Sequence, residues 1–347
     1  MLSGDRKAIK LFSMRETLQV LNTHVINYSC FIFIKLTTYV KMFISWRQYA
    51  WVGNKYFSTH QRLNEEHLNK FWFEQWLVGI TDGDGTFCIV RQNNKWNLAF
   101  KIAQSRYNLR LLYYIKKNLG VGSVTKDNTK AQFFIRDRQK LKNIIFPIFD
   151  KYPLLTSKMF NYNKFKQAYS ILENLNLTKQ EKDKMLFILK EETIPKNYIS
   201  CAWDEVNIPL KSINDIKNVV SKFWLVGFIE AEGSFYLVSK DTNRIVHGFG
   251  LTQKLDSIVL EAIGLILHIP TKVKYKSNYD YYILDTTNSR AVENIIKYFK
   301  DTMKGMKSVE YRMWVKSYSK HKGNYDKLSK TRDIIRKLRN RLLEIVN

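Results

Sequence analysis

The sequence predicts an α+β fold made of two related halves, each an αββαββα domain with a four-stranded antiparallel sheet. Three observations support this prediction. The segment WLVGITDGDGTF at 76–87 returns in altered form as WLVGFIEAEGSF at 224–235, which indicates an internal duplication. Each copy is followed by the same order of strand-like and helix-like patterns. The chain has 347 residues, which is enough for two domains with full-sized cores.

The first domain is expected at 66–174. Its repeated segment is apolar up to the first acid, which predicts a helix. Residues 86–92 and 97–104 alternate apolar and polar side chains and predict two strands joined by a polar turn. The rest of the domain is expected to contain a helix at 108–120, a hairpin of 121–126 and 131–136, and helices at 138–149 and 161–174.

The second domain, expected at 222–318, repeats this order. Its elements are predicted as strands at 234–240 and 244–253, a helix at 256–267, a hairpin of 272–277 and 281–285, and a helix at 289–299. A polar and charged linker at 175–221 separates the domains and is expected to contain a short helix.

The segment 319–347 predicts a basic C-terminal helix with an apolar stripe along one side. The stripe favours a helix that packs against the rest of the protein. The alternative is contact with nucleic-acid phosphates through the basic side chains Arg332, Arg336, Lys337 or Arg339.

The segment 1–65 does not belong to the duplication and forms a basic N-terminal extension. Residues 17–64 contain no acidic residue. An organelle transit sequence, an extension read through from an upstream exon and a helical arm on DNA are all consistent with this composition. The apolar part, 30–46, is interrupted by Lys35 and Lys41 and is too short to span a bilayer, so no membrane partner is expected.

Positive charge dominates the composition. The chain carries 57 Lys and Arg against 31 Asp and Glu, a formal net charge of +26, with a pI near 9.8. Such an excess points to a polyanionic partner. An AT-rich organelle genome would also raise the lysine content, and both explanations can hold. The three cysteines are isolated and offer neither a zinc spacing nor a disulfide framework, which fits a reducing compartment.

Asp84 and Glu232 are the candidate functional acids. Each repeated segment predicts a helix, and these acids fall at its carboxyl end, where the macrodipole disfavours an anion. Two such misplacements at equivalent positions indicate a functional role. Asp82 and Glu230, two residues earlier, are interpreted as helix caps or solvated ends with Lys or Arg partners. Both helices are expected to end in a left-handed glycine, at Gly85 and Gly233.

The two repeated helices are expected to pack against each other. Each carries two small residues four positions apart, a spacing that lets helix backbones approach closely: Gly79 and Gly83, Gly227 and Ala231. This packing would bring Asp84 and Glu232 together. Two neighbouring carboxylates repel, so one must be protonated or a cation must lie between them. Oxygen ligands suit Mg²⁺, with Mn²⁺ as the alternative.

The segments LVGITDGDG at 77–85 and LVGFIEAEG at 225–233 resemble the LAGLIDADG motif of homing endonucleases. Two copies in one very basic chain resemble the single-chain, intron-encoded members. The resemblance implies saddle-like sheets and a catalytic, metal-binding acid at the eighth motif position, here Asp84 and Glu232. It also implies metal coordination by the backbone carbonyls of Gly83 and Ala231. Thr81 departs from the motif, which usually has an apolar residue there, and should affect packing rather than chemistry.

Two further residue pairs keep the spacing of the duplication. FKIAQ at 100–104 matches FGLTQ at 249–253, and each glutamine is followed 54 residues later by a lysine. The resemblance implies that these residues flank the metal site, where the lysine helps to position the attacking water and offsets phosphate charge. The catalytic candidates added in this way are Gln104, Gln253, Lys158 and Lys307.

The predicted sheets offer a surface for reading DNA. A two-stranded ribbon fits the major groove, where Arg or Lys can read guanine and Asn or Gln can read adenine. The candidates should alternate with core residues such as Leu98, Phe100 and Ile102. The DNA-binding candidates are Gln92, Asn94, Lys95, Asn97, Lys101, Thr125, Asp127, Gln132, Ser239, Arg244, Lys272, Lys274 and Lys276.

These features predict a monomeric, metal-dependent endonuclease that cuts both strands of a long, asymmetric DNA site in intron homing. The main alternative is an RNA maturase that assists splicing of its host group I intron, alone or in addition. A DNA-binding regulator with an inactive nuclease fold is a third reading. The retained acids favour an enzyme. Such an element is expected in an organelle, in the mitochondrion rather than the chloroplast.

Overall fold

The computed structural model describes residues 68–340, apart from residue 211. These residues form two halves, each with a four-stranded antiparallel sheet and packed helices, which confirms the predicted α+β class. Within this range no helix has the length and apolar character of a membrane span. The predicted extension at 1–65 lies outside the described residues, as does the end of the basic tail.

The first half begins with helix α1 at 68–84, which contains the first repeated segment. The chain passes directly into the hairpin of β1 (Gly85–Gln92) and β2 (Lys95–Ser105). Helix α2 (Leu109–Leu119) ends at Gly120, which has the expected left-handed conformation with φ 70°. The half continues with β3 (Ser123–Lys126), β4 (Lys130–Ile135), α3 (Arg138–Lys140), a π-helical turn (Leu141–Ile145), α4 (Phe146–Lys151) and α5 (Lys158–Glu173).

Helices α6 (Lys179–Glu191) and α7 (Ile213–Val219) connect the halves in sequence. The second half starts with α8 (Lys222–Glu232), whose N-cap residue Ser221 accepts the backbone N–H of Trp224 at 3.1 Å. The remaining elements are β5 (Ser234–Asp241), β6 (Arg244–Gln253), α9 (Ser257–Ile266), β7 (Lys274–Lys276), β8 (Tyr281–Thr286), α10 (Ser289–Tyr298), α11 (Lys307–His321) and α12 (Tyr325–Asn340).

The two sheets share one topology, with strand order β1-β2-β4-β3 in the first and β5-β6-β8-β7 in the second. Alternate residues of β2 face the core, since Leu98, Phe100 and Ile102 are 0–2 % exposed. Lys95 and Asn97 lie on the opposite face and are exposed. Each half therefore buries one sheet face beneath helices and leaves the other face open.

Helices α1 and α8 pack with their backbones in contact. A Cβ atom added to Gly79 would overlap the carbonyl oxygen of Trp224 and lie 3.0 Å from the backbone nitrogen of Phe228. A Cβ atom added to Gly227 would overlap the carbonyl oxygen of Trp76 in the same way. A residue with a side chain cannot fit at either place, so the packing expected from the small residues is confirmed.

The expectation of left-handed glycines at the ends of the motif helices is wrong. Gly233 has φ −67° and ψ 142°, an extended conformation, and Gly85 is the first residue of β1 without a positive φ. Both positions require glycine because there is no room for a side chain. A Cβ atom would lie 2.7 Å from the carbonyl oxygen of Thr81 in the first case and of Ile229 in the second. Each helix thus passes into its strand without a left-handed turn.

Helices α6 and α12 occupy corresponding places, because α6 packs against α5 and α12 packs against α11. Leu328 and Ile335 bury the apolar stripe of α12, as the sequence predicted for the tail. Arg339 of this helix donates to Glu310 at 2.6 Å, so its charge is directed into the protein. The segment expected as a linker, 175–221, therefore starts with a helix packed on the first half, and the structural duplication is longer than the sequence indicated.

Candidate active site

Asp84 and Glu232 lie at the carboxyl ends of α1 and α8, close to each other across the helix pair. A Cβ atom added to Gly83 would lie 3.2 Å from Cγ of Glu232, on the side of α1 that faces α8. Burial raises the pKa of both carboxyl groups, and the charge of Asp84 raises the pKa of Glu232 further. The pair therefore favours a positive charge beside it.

The two predicted glutamines bind these acids. Gln104, at the end of β2, donates a hydrogen bond from Nε2 to Oδ2 of Asp84. Gln253, at the end of β6, makes a hydrogen bond with Glu232 that opposes the effect of burial on the pKa of that carboxyl group. Each glutamine therefore holds the carboxylate of its own half in one orientation.

Lys158 is the first residue of α5, and its side chain reaches the end of α1. Nζ donates to the carbonyl oxygens of Thr81, at 3.1 Å, and Gly83. Burial lowers the pKa of Lys158, and the negative charges of nearby carboxylates, Asp82 first and Asp84 next, oppose this shift. The ammonium group is therefore a partly buried cation beside the acidic pair.

Lys307 has the equivalent position at the start of α11. Its Nζ donates to the carbonyl oxygens of Ala231, at 3.4 Å, and Gly233, at 2.5 Å. Burial lowers the pKa of Lys307, while the charge of Glu310 opposes the shift. The structure thus brings the predicted acids, glutamines and lysines of both halves together.

The donor set at this place fits Mg²⁺ or Mn²⁺. Carboxylate oxygens are the ligands that such ions prefer, and one or two suffice when waters and phosphate oxygens complete the coordination. Among residues 68–340, no group of three or more His, Cys, Asp or Glu side chains could hold a metal ion. A metal bound by Asp84 and Glu232 would therefore have its coordination completed by waters, backbone carbonyls or phosphate oxygens. The carbonyl oxygens of Gly83 and Ala231 accept hydrogen bonds from the lysines, which competes with their expected role as metal ligands.

The expectation that Asp82 and Glu230 are solvated helix ends is wrong, although the charge of Asp82 acts on Lys158 and that of Glu230 acts on Lys307. Asp82 is 2 % exposed and accepts hydrogen bonds from the indole of Trp224 at 2.7 Å and the backbone of Leu155 at 2.9 Å. Glu230 is 3 % exposed and accepts a hydrogen bond from the indole of Trp76 at 3.2 Å. Each acid binds the tryptophan of the other motif copy, so the two bonds join the halves.

Sequence reasoning missed the N-cap residues Asn108 and Asp256, each of which is 8 % exposed. Asn108 donates from Nδ2 to Oε1 of Gln104 at 2.9 Å and so turns the glutamine amide toward Asp84. Burial raises the pKa of Asp256 to about 6, while hydrogen bonds from Ser157 oppose the shift. Position is the signal that could have revealed them, because each follows a strand-end glutamine within four residues.

The open sheet faces carry most of the predicted DNA contacts. The register pairs Gln92 with Lys95 and Thr125 with Gln132, and paired side chains share one face of a sheet. Asn94 lies in the turn between β1 and β2. The exposed candidates of the second half are Arg244, Lys272, Lys274 and Lys276.

Two predicted DNA contacts have partners within the protein. Ser239 pairs with Ile245 at a register irregularity near the end of β5, and its side chain is exposed. Its hydroxyl accepts a hydrogen bond from Arg332 of α12 at 2.8 Å. Asp127 lies in the turn between β3 and β4, where its carboxylate accepts the backbone N–H of Lys130 at 2.6 Å.

Comparison with known proteins identifies the family. The sequence model of the LAGLIDADG endonucleases matches residues 77–169 and 225–318, one match in each half. The chain belongs to the LAGLIDADG endonuclease family. The resemblance inferred from the two motif copies is confirmed.

Relatives of this LAGLIDADG protein are found in fungi. The probable intron-encoded endonuclease Cox1-I1b of Schizosaccharomyces pombe is 38 % identical over 338 residues, which cover 91 % of this chain and 83 % of that protein. The uncharacterized mitochondrial protein RF1 of Saccharomyces cerevisiae is 35 % identical over 55 % of this chain. This chain covers 38 % of the length of RF1, so the similarity concerns only part of that protein.

Solved structures share the fold. I-SmaMI bound to an uncleaved DNA target in the presence of calcium ions is 26 % identical, with a TM-score of 0.60 over 76 % of this chain and 97 % of that chain. The LAGLIDADG meganuclease I-AabMI bound to uncleaved DNA is 21 % identical, with a TM-score of 0.59 over 75 % of this chain and 98 % of that chain. These matches confirm the two-sheet architecture.

Proposed function

We propose that this LAGLIDADG protein is a monomeric, site-specific double-strand DNA endonuclease in which each half directs the cutting of one strand. The observation that supports this most directly is the pair of partly buried carboxylates, Asp84 and Glu232, between two equivalent lysines. A duplicated site in one chain suits a reaction that must break two strands. Both halves are present in the chain, so the site needs no second subunit.

DNA is proposed to bind across the open faces of the two sheets. The net charge of +26 supplies affinity for phosphates, and the strand side chains described above supply contacts to base edges. The two faces carry different side chains, because Asn97 and Lys101 of the first sheet correspond to Val246 and Gly250 of the second. A long and asymmetric target follows from that difference.

In the proposed reaction, Asp84 and Glu232 would hold Mg²⁺ or Mn²⁺ next to the phosphates that are cut. When bound, such an ion would activate a water and stabilise charge on the leaving 3′ oxygen. The two glutamines keep the carboxylates oriented. Lys158 and Lys307 bring positive charge to each phosphate and orient the attacking water.

We infer that the target is the intron-less form of the gene whose intron carries this reading frame. The relatives named as intron-encoded endonucleases support this, and the similarity to RF1 supports a mitochondrial location. Splicing of the host group I intron RNA is a separate alternative, which the variants below also test.

The proposal predicts that Asp84→Asn and Glu232→Gln each abolish cutting of a plasmid that carries the joined exons. Each substitution removes one carboxylate charge at nearly constant shape. Because the two acids share one charged cluster, both strands should survive in either variant. Cutting is measured with Mg²⁺ from the conversion of supercoiled to nicked and linear DNA, and affinity is measured with Ca²⁺. Affinity should stay close to that of the wild type, since neither acid lies on a sheet face.

Glu173→Gln is the matched control, because it neutralises an acid whose ion pair with Arg138 is exposed and weakly stabilising. The control should cut like the wild type. Wild-type cutting rates in both acid variants would contradict the site. Loss of host-intron splicing in variants that still cut DNA would favour the maturase alternative.

A further inference from the structure

Asn108 and Asp256 occupy equivalent places before α2 and α9, and both depart from the usual behaviour of such residues. Asn and Asp are favoured as N-caps because the side-chain oxygen accepts a hydrogen bond from the first turn of the same helix. Neither side chain caps its own helix in this protein. Both residues are buried, so their polar groups require partners elsewhere.

Both side chains bind the backbone of the opposite half. Oδ1 of Asn108 accepts the N–H of Met306 at 2.9 Å, a contact between residues 198 positions apart. Oδ1 of Asp256 accepts the N–H of Ser157 at 2.6 Å, and Oδ2 accepts the hydroxyl of Ser157 at 3.0 Å. The two contacts are equivalent under the duplication, because Ser157 and Met306 are the N-cap residues of α5 and α11.

Each contact lies one residue before a candidate active-site lysine. Lys158 and Lys307 are the first residues of α5 and α11. Neither Ser157 nor Met306 makes a side-chain cap for its own helix. The first turn of a helix has N–H groups without intrahelical partners. An acceptor from the opposite half therefore fixes the point from which each lysine side chain extends.

We propose that Asn108 and Asp256 are positioning residues, each of which holds the lysine helix of the opposite half in register with the active site. The catalytic consequence rests on the proposed nuclease function, whereas the placement of the lysines does not. The two residues differ in charge, since the carboxylate of Asp256 also acts on Lys158, and they differ in their other bonds. Asn108 also binds Gln104 of its own half, whereas both bonds of Asp256 go to Ser157. Loss of Asp256 therefore affects one half, and loss of Asn108 affects both.

The first experiment follows each strand of a supercoiled plasmid with the joined exons, cut by the full-length protein in Mg²⁺. Asp256→Ala should slow the cutting of one strand by about 100-fold, because a misplacement of about 1 Å has an effect of this size. Nicked circles should accumulate as a result. Asp256→Asn keeps an acceptor for the N–H of Ser157 and should restore cutting of that strand. Asn108→Ala should slow both strands.

Tyr162→Phe is the matched control. It removes from α5 a hydroxyl group that donates to Asp150 at 2.6 Å, without touching the first turn of the helix. This variant should leave the ratio of nicked to linear DNA unchanged. The proposal would be overturned if Asp256→Ala slowed both strands by the same factor or slowed neither.

A second experiment needs no DNA. Acetic anhydride modifies lysine amines, and mass spectrometry of the peptides measures Lys158 and Lys307 separately. Asp256→Ala should raise the labelling rate of Lys158 several-fold over that of Lys307, and Asn108→Ala should raise that of Lys307 instead. An unchanged ratio would contradict the positioning role even if the wild type cut DNA. If the two variants gave the expected labelling ratios but the wild-type protein cut no DNA, the nuclease function would be contradicted. The positioning role would still be supported.

Discussion

Replacement of Gly79 by alanine should force the two motif helices apart. The added Cβ atom would overlap the carbonyl oxygen of Trp224 and would lie 2.8 Å from its carbonyl carbon and 3.0 Å from the nitrogen of Phe228. All three are backbone atoms of α8, which cannot rotate away as a flexible side chain can. Asp84 would move with α1, away from Glu232.

The expected loss of stability is the difference of two effects. Overpacking costs about 1–3 kcal/mol, and contact with backbone atoms places Gly79→Ala near the upper end of that range. The higher helix propensity of alanine offsets about 0.5–1 kcal/mol. The free energy of unfolding should therefore fall by about 2 kcal/mol, which changes the equilibrium by a factor of roughly 30.

Urea titration followed by circular dichroism should show this loss as a lower midpoint at an unchanged slope. Gly264 in α9 provides the matched control, since an added Cβ atom would meet the methyl carbons of Leu284 at 3.6 Å, an ordinary contact distance. Gly264→Ala should gain about 0.5–1 kcal/mol. A Gly79→Ala protein as stable as the wild type would refute the backbone contact between α1 and α8.

Three further substitutions test other parts of the structure. Asp82→Ala leaves the indole of Trp224 and the N–H of Leu155 without their acceptor, and should lower the free energy of unfolding in urea by about 3 kcal/mol or more. Burial lowers the pKa of His247 from its ordinary value of 6.5 to about 4, so the unfolded chain binds the proton first as the pH falls between these values. The wild type should lose stability over that range relative to His247→Gln, and a pH-independent difference in urea titrations would contradict this. Thr178→Ala removes the capping box of α6 and should cost about 1 kcal/mol, with DNA cutting unchanged.

Much of the fold could be predicted because it depends on local patterns. Leu98, Phe100 and Ile102 are in the core because successive residues of a strand point to opposite faces. The end of α2 at Gly120 could be predicted because a helix often ends in a left-handed backbone conformation that glycine adopts most easily. The contact of the motif helices is readable because close backbone approach requires small residues at a fixed spacing.

The candidate site could be predicted only in part, because many of its contacts join distant parts of the chain. Asp84 and Glu232 stand out by their place at helix ends, which is a local property. The environments of Asp82 and Glu230 are set by indoles that lie 142 and 154 residues away in the sequence. The pattern of one helix alone predicts that these two acids are solvated. This prediction is wrong because the other half of the protein buries them.

The reciprocal bonds between the motif tryptophans and the acids Asp82 and Glu230 limit how the two halves can be exchanged. Consider a hybrid that joins one half of this protein to the other half of a relative. The tryptophan of this protein's half must then bind the carboxylate of the relative's half, and its carboxylate must bind the relative's tryptophan. A mismatch in either pair leaves a polar group without a hydrogen-bond partner at the interface between the two halves. The helix pair therefore has to be transplanted as one piece, while the strand surfaces around it can be replaced separately to redirect the protein to a new target.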